Sequence, residues 1–166
     1  KNIKKPILNI LQNWQIIIIP HSILAPRGQF ENTSTHILDY FRKFNLTTIY
    51  LLGHSLGGSL AIDFACQYPE KVKRLILIDS AGIPTHKNLY QLIINFLSTH
   101  FAYWKNKFWE NIKSFYRILQ RPSLYIQSAQ YAISIDLSAK AKKLKVPTLI
   151  LWGEKDKLIP PRHGQK

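Results

Sequence analysis

Methionine, cysteine pairs and long apolar runs are missing from this sequence of 166 residues. The single cysteine, Cys66, leaves no partner for an internal disulfide, and we expect it to be a small buried hydrophobe. No apolar run reaches the roughly 18 residues that a membrane-spanning helix needs, so no transmembrane segment is predicted. Because even position 1 is not methionine, we expect a piece of a longer product, truncated at both ends.

Acidic residues are also scarce, since 9 Asp and Glu against 23 Lys and Arg leave a net charge of +14. Such a charge is typical of proteins that bind nucleic acid or an anionic membrane surface. The densest basic cluster is Lys140, Lys142, Lys143 and Lys145, and the other basic residues are scattered. No stretch interleaves them with aromatics as a nucleic-acid groove does, so we expect a solvated basic surface and no specific nucleic-acid partner.

Against these absences, hydrophobic residues make up 46% of the chain, enough for the core of one domain. Apolar runs typical of buried strands lie at residues 15–19, 49–52, 75–78 and 146–152. Helical spacing of apolar residues separates these runs, as at residues 34–44 and 56–67. The alternation predicts an α/β fold with a mostly parallel sheet flanked by helices.

The interval 84–135 breaks this alternation, because it contains neither a strand pattern nor a glycine. Helices are predicted over 88–98, 101–119 and 123–133, and aromatic residues crowd the middle of the interval. The sequence therefore divides into core segments at 1–83 and 136–166 and an all-helical lid at 84–135. The aromatic cluster is either the core of the lid or the wall of a ligand pocket.

The chain is organised around TTIYLLGHSLGG at residues 47–58. The apolar run stops at Gly53 and helical spacing begins after Ser55, which predicts a strand, a sharp turn and a helix with a serine at the apex. A serine hydroxyl is a weak nucleophile unless it is held out of the backbone beside a base. Gly53 and Gly57 are expected where strand and helix cross closely, and the Leu56 N–H is expected to face a developing oxyanion. The alternative is a glycine-rich turn with an ordinary serine.

Three blocks, in this order, resemble the α/β-hydrolase superfamily in its lidded, serine-nucleophile branch. LLGHSLGG at 51–58 resembles the nucleophile elbow, and YPEKVKRLILIDSAG at 68–82 resembles the passage from helix to strand that follows it. KVPTLILWGEKDKLIP at 145–160 resembles the strand and turn that carry the acid. The resemblance implies a partial α/β-hydrolase fold with a helical cap.

The resemblance also implies roles for individual residues. Ser55 matches the nucleophile, and Leu56 matches the residue whose backbone N–H is half of the oxyanion hole. Asp156 matches the acid that orients the catalytic histidine. Asp79, at the end of the strand after the elbow, is the competing acid, and the GEKD turn favours Asp156. The remaining positions of the elbow are Gly53, His54, Gly57 and Gly58.

The catalytic histidine and the second oxyanion donor are expected outside residues 1–166. His163 lies too close to Asp156 in sequence, and His54 flanks the serine at a position that does not act as the base in this family. We therefore expect the full-length parent to be a serine hydrolase and the 166-residue chain to be inactive. We also expect the last strand, residues 147–152, to leave an open sheet edge.

The expected substrate is a small acyl or ester compound, and no metal or organic cofactor is implied. Esterase, lipase, thioesterase, acyltransferase and carbon–carbon hydrolase all remain open, as do the oligomeric state and the location, for which the cytoplasm is favoured. The alternative function is a non-catalytic or decayed binding module on the same scaffold, since a fold does not by itself confer an activity.

Overall fold

Three parallel strands with helices packed against them form the part of the chain that the structure describes. This computed structural model describes residues 15–19, 30–83, 90, 94, 116, 118–156 and 158–164. The strands are β1 (Ile49–His54), β2 (Val72–Ile78) and β3 (Thr148–Leu151). The helices are α1 (Thr33–Lys43), α2 (Leu56–Gln67), α3 (Pro122–Ser134) and α4 (Ser138–Ala141), and short 3-10 turns cover Phe30–Asn32, Pro69–Lys71 and Pro161–His163. The predicted parallel sheet flanked by helices is confirmed.

The sheet has the order β1-β2-β3, and both pairings are parallel. His54, the last residue of β1, pairs with Ile78 at the end of β2, and Ile78 pairs with Leu151 at the end of β3. All three strands therefore end level with one another. The turns that follow them share one edge of the sheet, where side chains from distant parts of the sequence can meet.

The core lies between the sheet and helices α1 and α2. Phe64 of α2 and Leu75 of β2 are completely buried, and the Phe41 ring of α1 lies 5.9 Å from the Phe64 ring, measured between centroids. Helix α2 is apolar on most of its surface and ends at Tyr68, whose N–H donates to the Phe64 carbonyl at 2.8 Å. Pro69 follows and cannot continue the helix.

Two sequence-based expectations change in the structure. The β-branched run at residues 15–19 was predicted to be a strand, but it joins no ladder, and Ile18 is 84% exposed. A run of this kind becomes a strand only where another strand pairs with it, and none of the described residues does so. Cys66 is half-buried rather than fully buried, and its thiol donates to the Lys140 carbonyl at 3.3 Å.

The predicted lid falls mostly outside the described residues. Helix α3 confirms the last of its three predicted helices, and residues 90, 94, 116 and 118–120 are also helical. The cap over the sheet edge stays a prediction. Across the described residues, no helix combines the length and the apolar character needed to cross a membrane.

Candidate functional site

Ser55 occupies a sharp bend, here called the serine bend, between the last residue of β1 and the first residue of α2. Its backbone angles are φ 52° and ψ −125°, a combination that residues other than glycine rarely adopt. Hydrogen bonds from three directions hold this strained peptide in place. The Ser55 N–H donates to the Ile78 carbonyl at 3.0 Å, and the Ser55 carbonyl accepts from the N–H groups of Gly58 and Ala81, both at 2.9 Å.

The bend places Ser55 at the positive end of α2. The first N–H groups of an α-helix have no acceptor within the helix, so those of Leu56 and Gly57 point out of its start. These groups and the helix dipole favour negative charge beside Ser55. One turn further along α2, Ser59 is fully buried, and its hydroxyl donates to the Leu56 carbonyl at 2.7 Å. This bond helps to hold the backbone of Leu56 in place.

Glycine is required at two positions of the elbow. A Cβ at Gly53 would lie 2.6 Å from the Gly57 carbonyl oxygen, and a Cβ at Gly58 would lie 2.6 Å from the Ser80 Cβ. A Cβ at Gly57 would meet nothing within 4 Å. Gly57 therefore lies at the close crossing through its carbonyl oxygen, but the expectation that its missing side chain avoids a clash there is wrong, and Gly58 takes that role. Successive helical residues are rotated by about 100°, so only one of the two glycines faces the end of β2.

Asp156 lies in the turn after β3, here called the acid turn, and is held by that turn. Its N–H donates to the Gly153 carbonyl at 3.0 Å. Its Oδ1 atom accepts from the N–H groups of Leu158 at 2.8 Å and Ile159 at 2.9 Å. Two backbone donors on one carboxylate oxygen fix the orientation of the side chain, and no donor among the described residues bonds to Oδ2.

Asp79, the competing acid, lies directly after β2 and adopts a left-handed φ of 43°. Its Oδ1 atom accepts from the Gly153 N–H at 2.6 Å. A Cβ at Gly153 would lie 3.5 Å from that oxygen and 3.9 Å from the Asp156 Cβ. The two acids that the sequence offered as alternatives are therefore neighbours around one glycine, which sequence spacing alone did not indicate.

Two histidines lie near these residues in sequence. His54 is exposed at the end of β1, and His163 lies in the 3-10 turn after the acid turn. His163 lines a cavity of about 330 Å³, together with apolar residues of β2 and β3 such as Leu77 and Ile150. Neither Ser55 nor Asp156 lines this cavity, although Ser80 and Ala81 of the turn after β2 do. No cluster of three metal-ligating side chains occurs in the described ranges.

Comparison with known proteins shows the family of the chain. A family model described as serine aminopeptidase, S33, matches residues 29–166. The chain is 27% identical over 141 residues to the 2-hydroxy-6-oxo-6-phenylhexa-2,4-dienoate hydrolase of Comamonas testosteroni. This alignment covers 70% of this chain and 49% of that protein. It is 28% identical over 162 residues to Lipase 1 of Psychrobacter immobilis, covering 81% of this chain and 49% of the lipase.

Solved structures agree on the fold. The crystallised 2-hydroxy-6-oxo-6-phenylhexa-2,4-dienoate hydrolase of a Rhodococcus species superposes with a TM-score of 0.57 at 17% identity, over 89% of this chain and 60% of that one. The chain spans about half the length of the curated relatives named above. The match of the family model over most of the chain shows that the protein belongs to the S33 family of α/β-hydrolases.

Proposed function

We propose that the full protein is a serine hydrolase that acts on a small ester or related acyl substrate, with Ser55 as its nucleophile. One observation carries the proposal: a strained serine at the carboxyl edge of a parallel sheet, directly before the N-terminus of a helix. The relatives named as a lipase and as a hydrolase of a phenyl-substituted dienoate support hydrolysis as the reaction class. The acyl character of the substrate is our inference from the residues.

The first step is proton transfer from the Ser55 hydroxyl to a histidine that lies outside residues 1–166. The serine oxygen then attacks the carbonyl carbon, and the electron pair of the carbonyl moves onto its oxygen. The Leu56 N–H at the start of α2 donates to that oxyanion, and a second donor outside this chain completes the hole. The histidine returns its proton to the leaving group, and water releases the acyl group by the same steps.

Asp156 is the proposed acid of the triad. β2 separates β1 from β3, so the backbones of the serine and acid strands run roughly 10 Å apart. One imidazole lying between the two turns would bridge this gap with a hydrogen bond on each side. The Asp156 Oδ2 atom would accept one of them, because Oδ1 is occupied by backbone donors of its own turn. The acid holds the histidine in the tautomer that accepts the serine proton.

The parent protein tests the assignment when it is assayed on short p-nitrophenyl esters. We expect Ser55→Ala to lower kcat on the order of ten-thousand-fold or more, because the nucleophile is lost. Ser134→Ala is the matched control, since Ser134 is an exposed serine at the end of α3 whose hydroxyl donates to the Tyr131 carbonyl. Activity of Ser55→Ala equal to that of the parent would contradict the proposal.

The 166-residue chain is proposed to be nearly inert by itself. It contains the nucleophile, one oxyanion donor and the acid, but the base of the proposed mechanism lies elsewhere. Hydrolysis by the chain should match that of its own Ser55→Ala variant in the same ester assay. Turnover that is fast and depends on Ser55 would mean that a histidine of this chain acts as the base.

A further inference from the structure

The turn at residues 79–81 joins the two halves of the proposed site. On one side it contacts the serine bend, because the Ala81 N–H donates to the Ser55 carbonyl at 2.9 Å, next to the bond from the Ser55 N–H to Ile78. On the other side it contacts β3, which precedes the acid turn, because the Asp79 N–H donates to the Leu151 carbonyl at 3.1 Å. Every one of these bonds lies at the carboxyl edge of the sheet.

The Asp79 side chain extends this connection to the acid itself. Its Oδ1 atom accepts from the Gly153 N–H at 2.6 Å, a bond between residues 74 positions apart. The carbonyl of the same glycine accepts from the Asp156 N–H at 3.0 Å. One glycine therefore separates the Asp79 carboxylate from the backbone of Asp156, and the serine bend lies on the opposite side of Asp79.

The two carboxylates differ in what they hold. Asp156 accepts from Leu158 and Ile159, which belong to its own turn, so its bonds shape that turn. Asp79 accepts from a different strand connection, so its bond ties two turns together. Asp79 also keeps a left-handed φ of 43°, which residues other than glycine rarely adopt and which Asp and Asn tolerate best.

We propose that Asp79 is a positioning residue whose carboxylate holds the Gly153 N–H and so sets the distance between Ser55 and Asp156. The inference rests on the proposed function for the roles of those two residues. Asp79 acts through Gly153 and is not the acid of the triad. Losing its carboxylate would let the acid turn shift relative to the serine, and small displacements of catalytic groups are costly in rate.

Amide exchange in the 166-residue chain tests the bond directly. The chain has 7 glycines, so labelling glycine alone with ¹⁵N gives few amide signals, and a Gly153→Ala variant identifies the one from Gly153. Asp79→Gly permits the positive φ but removes the acceptor, and we expect the Gly153 amide to exchange at least tenfold faster. Asp79→Asn keeps a side-chain carbonyl as acceptor and should change the rate less than about threefold.

The Gly58 amide is the internal control for these spectra. Its N–H donates to the Ser55 carbonyl at 2.9 Å and does not contact Asp79, so its exchange rate should be the same in all variants. Equal Gly153 exchange in the parent chain and in Asp79→Gly, with Gly58 still protected, would overturn the proposal.

The kinetics of the parent protein test the consequence, and they decide the matter even if Asp79→Gly does not fold. We expect Asp79→Asn to keep kcat within about threefold and the acidic limb of the pH profile unmoved, whereas Asp156→Asn should lose on the order of ten-thousand-fold. A folded Asp79→Gly should lose about tenfold in kcat with KM within about twofold. A loss in Asp79→Asn as large as in Asp156→Asn would make Asp79 the triad acid and overturn the proposal.

Failure of the proposed function would look different. In that case the parent would show no hydrolysis that depends on Ser55, while the exchange rates would still report whether Asp79 holds Gly153. A slow-exchanging Gly153 amide in a protein without such activity would refute the nucleophile and leave the contact between the turns intact.

Discussion

The serine bend and the acid turn lie at the same edge of one sheet, but they are held in different ways. The bend joins β1 to α2, and α2 packs on the core that contains the fully buried side chains of Phe64 and Leu75. All four residues of β3, which carries the acid turn, are exposed. The bend is therefore held by the hydrogen bonds of Ser55 and also by the packing of α2 on the core. The acid turn depends on hydrogen bonds, chiefly those of Asp79, Gly153 and Asp156.

β3 is an edge strand of the described sheet. In the described residues β3 pairs with β2 alone, and no described strand pairs with its other side. Strands of parallel sheets are usually covered on both faces, and an exposed edge rich in leucine and isoleucine is prone to pair with other chains. The open edge predicted for residues 147–152 is thus seen at residues 148–151, and stability should be distributed unevenly between the two halves of the site.

The largest expected effect comes from shortening one leucine in each region. Leu75→Ala removes a fully buried side chain from the core on which α2 packs and should lower the free energy of unfolding by about 2–5 kcal/mol. Leu149→Ala on β3 removes a side chain that is 53% exposed and should cost less than about 1 kcal/mol. Urea unfolding followed by circular dichroism measures both. Equal losses would show that β3 is as well packed as β2.

A smaller effect separates the two neighbouring glycines of the elbow. Gly58→Ala forces a Cβ against Ser80 and should destabilise the chain by about 1–3 kcal/mol, the usual range for overpacking. Gly57→Ala is the matched control, because a Cβ there meets nothing within 4 Å and alanine favours a helix. The same urea titration compares them. If Gly57→Ala destabilised the chain as much as Gly58→Ala, the close approach of Gly58 to Ser80 would not be the cause of the loss.

The smallest expected effect concerns Tyr131 of α3, which lies beside Asp63 and Ser59 of α2. Burial, helped by the negative charge of Asp63, raises the pKa of Tyr131 to about 12, although a hydrogen bond with Ser59 acts in the opposite direction. The Tyr131 ring also stacks on Phe30, with centroids 4.1 Å apart. The folded state therefore holds the phenolic proton more tightly than the unfolded state, whose tyrosines titrate near pH 10.

This contribution to stability is complete below about pH 10 and is lost as the pH rises toward 12. The free energy of unfolding of the parent chain should fall across that window more steeply than that of Tyr131→Phe. Tyr90→Phe is the control, because Tyr90 is 73% exposed, and it should follow the parent chain. Parallel curves for the parent chain and Tyr131→Phe would mean that this phenol is not buried in the folded state.

Local patterns predicted the elements of the site well. The apolar run before Gly53, the serine and the helical spacing after it predicted β1, the bend and α2, because each depends on residues close in sequence. The strand at 15–19 was predicted by the same reasoning and is wrong, since a strand also needs a neighbour. The role of Gly58 was missed because it depends on Ser80, which is 22 positions away and meets α2 only in the folded chain.

The sequence by itself determined that Ser55 lies at a strand-to-helix turn and that Asp156 follows a later strand, because short-range periodicity and turn chemistry encode both. Only the tertiary structure decided which strands are neighbours and at what register they end. That register brings Asp79 to Gly153 and places both beside Asp156. Hydrogen bonds between turns 74 residues apart depend on strand pairing, and pairing results from burying side chains along the whole sheet rather than from any local pattern.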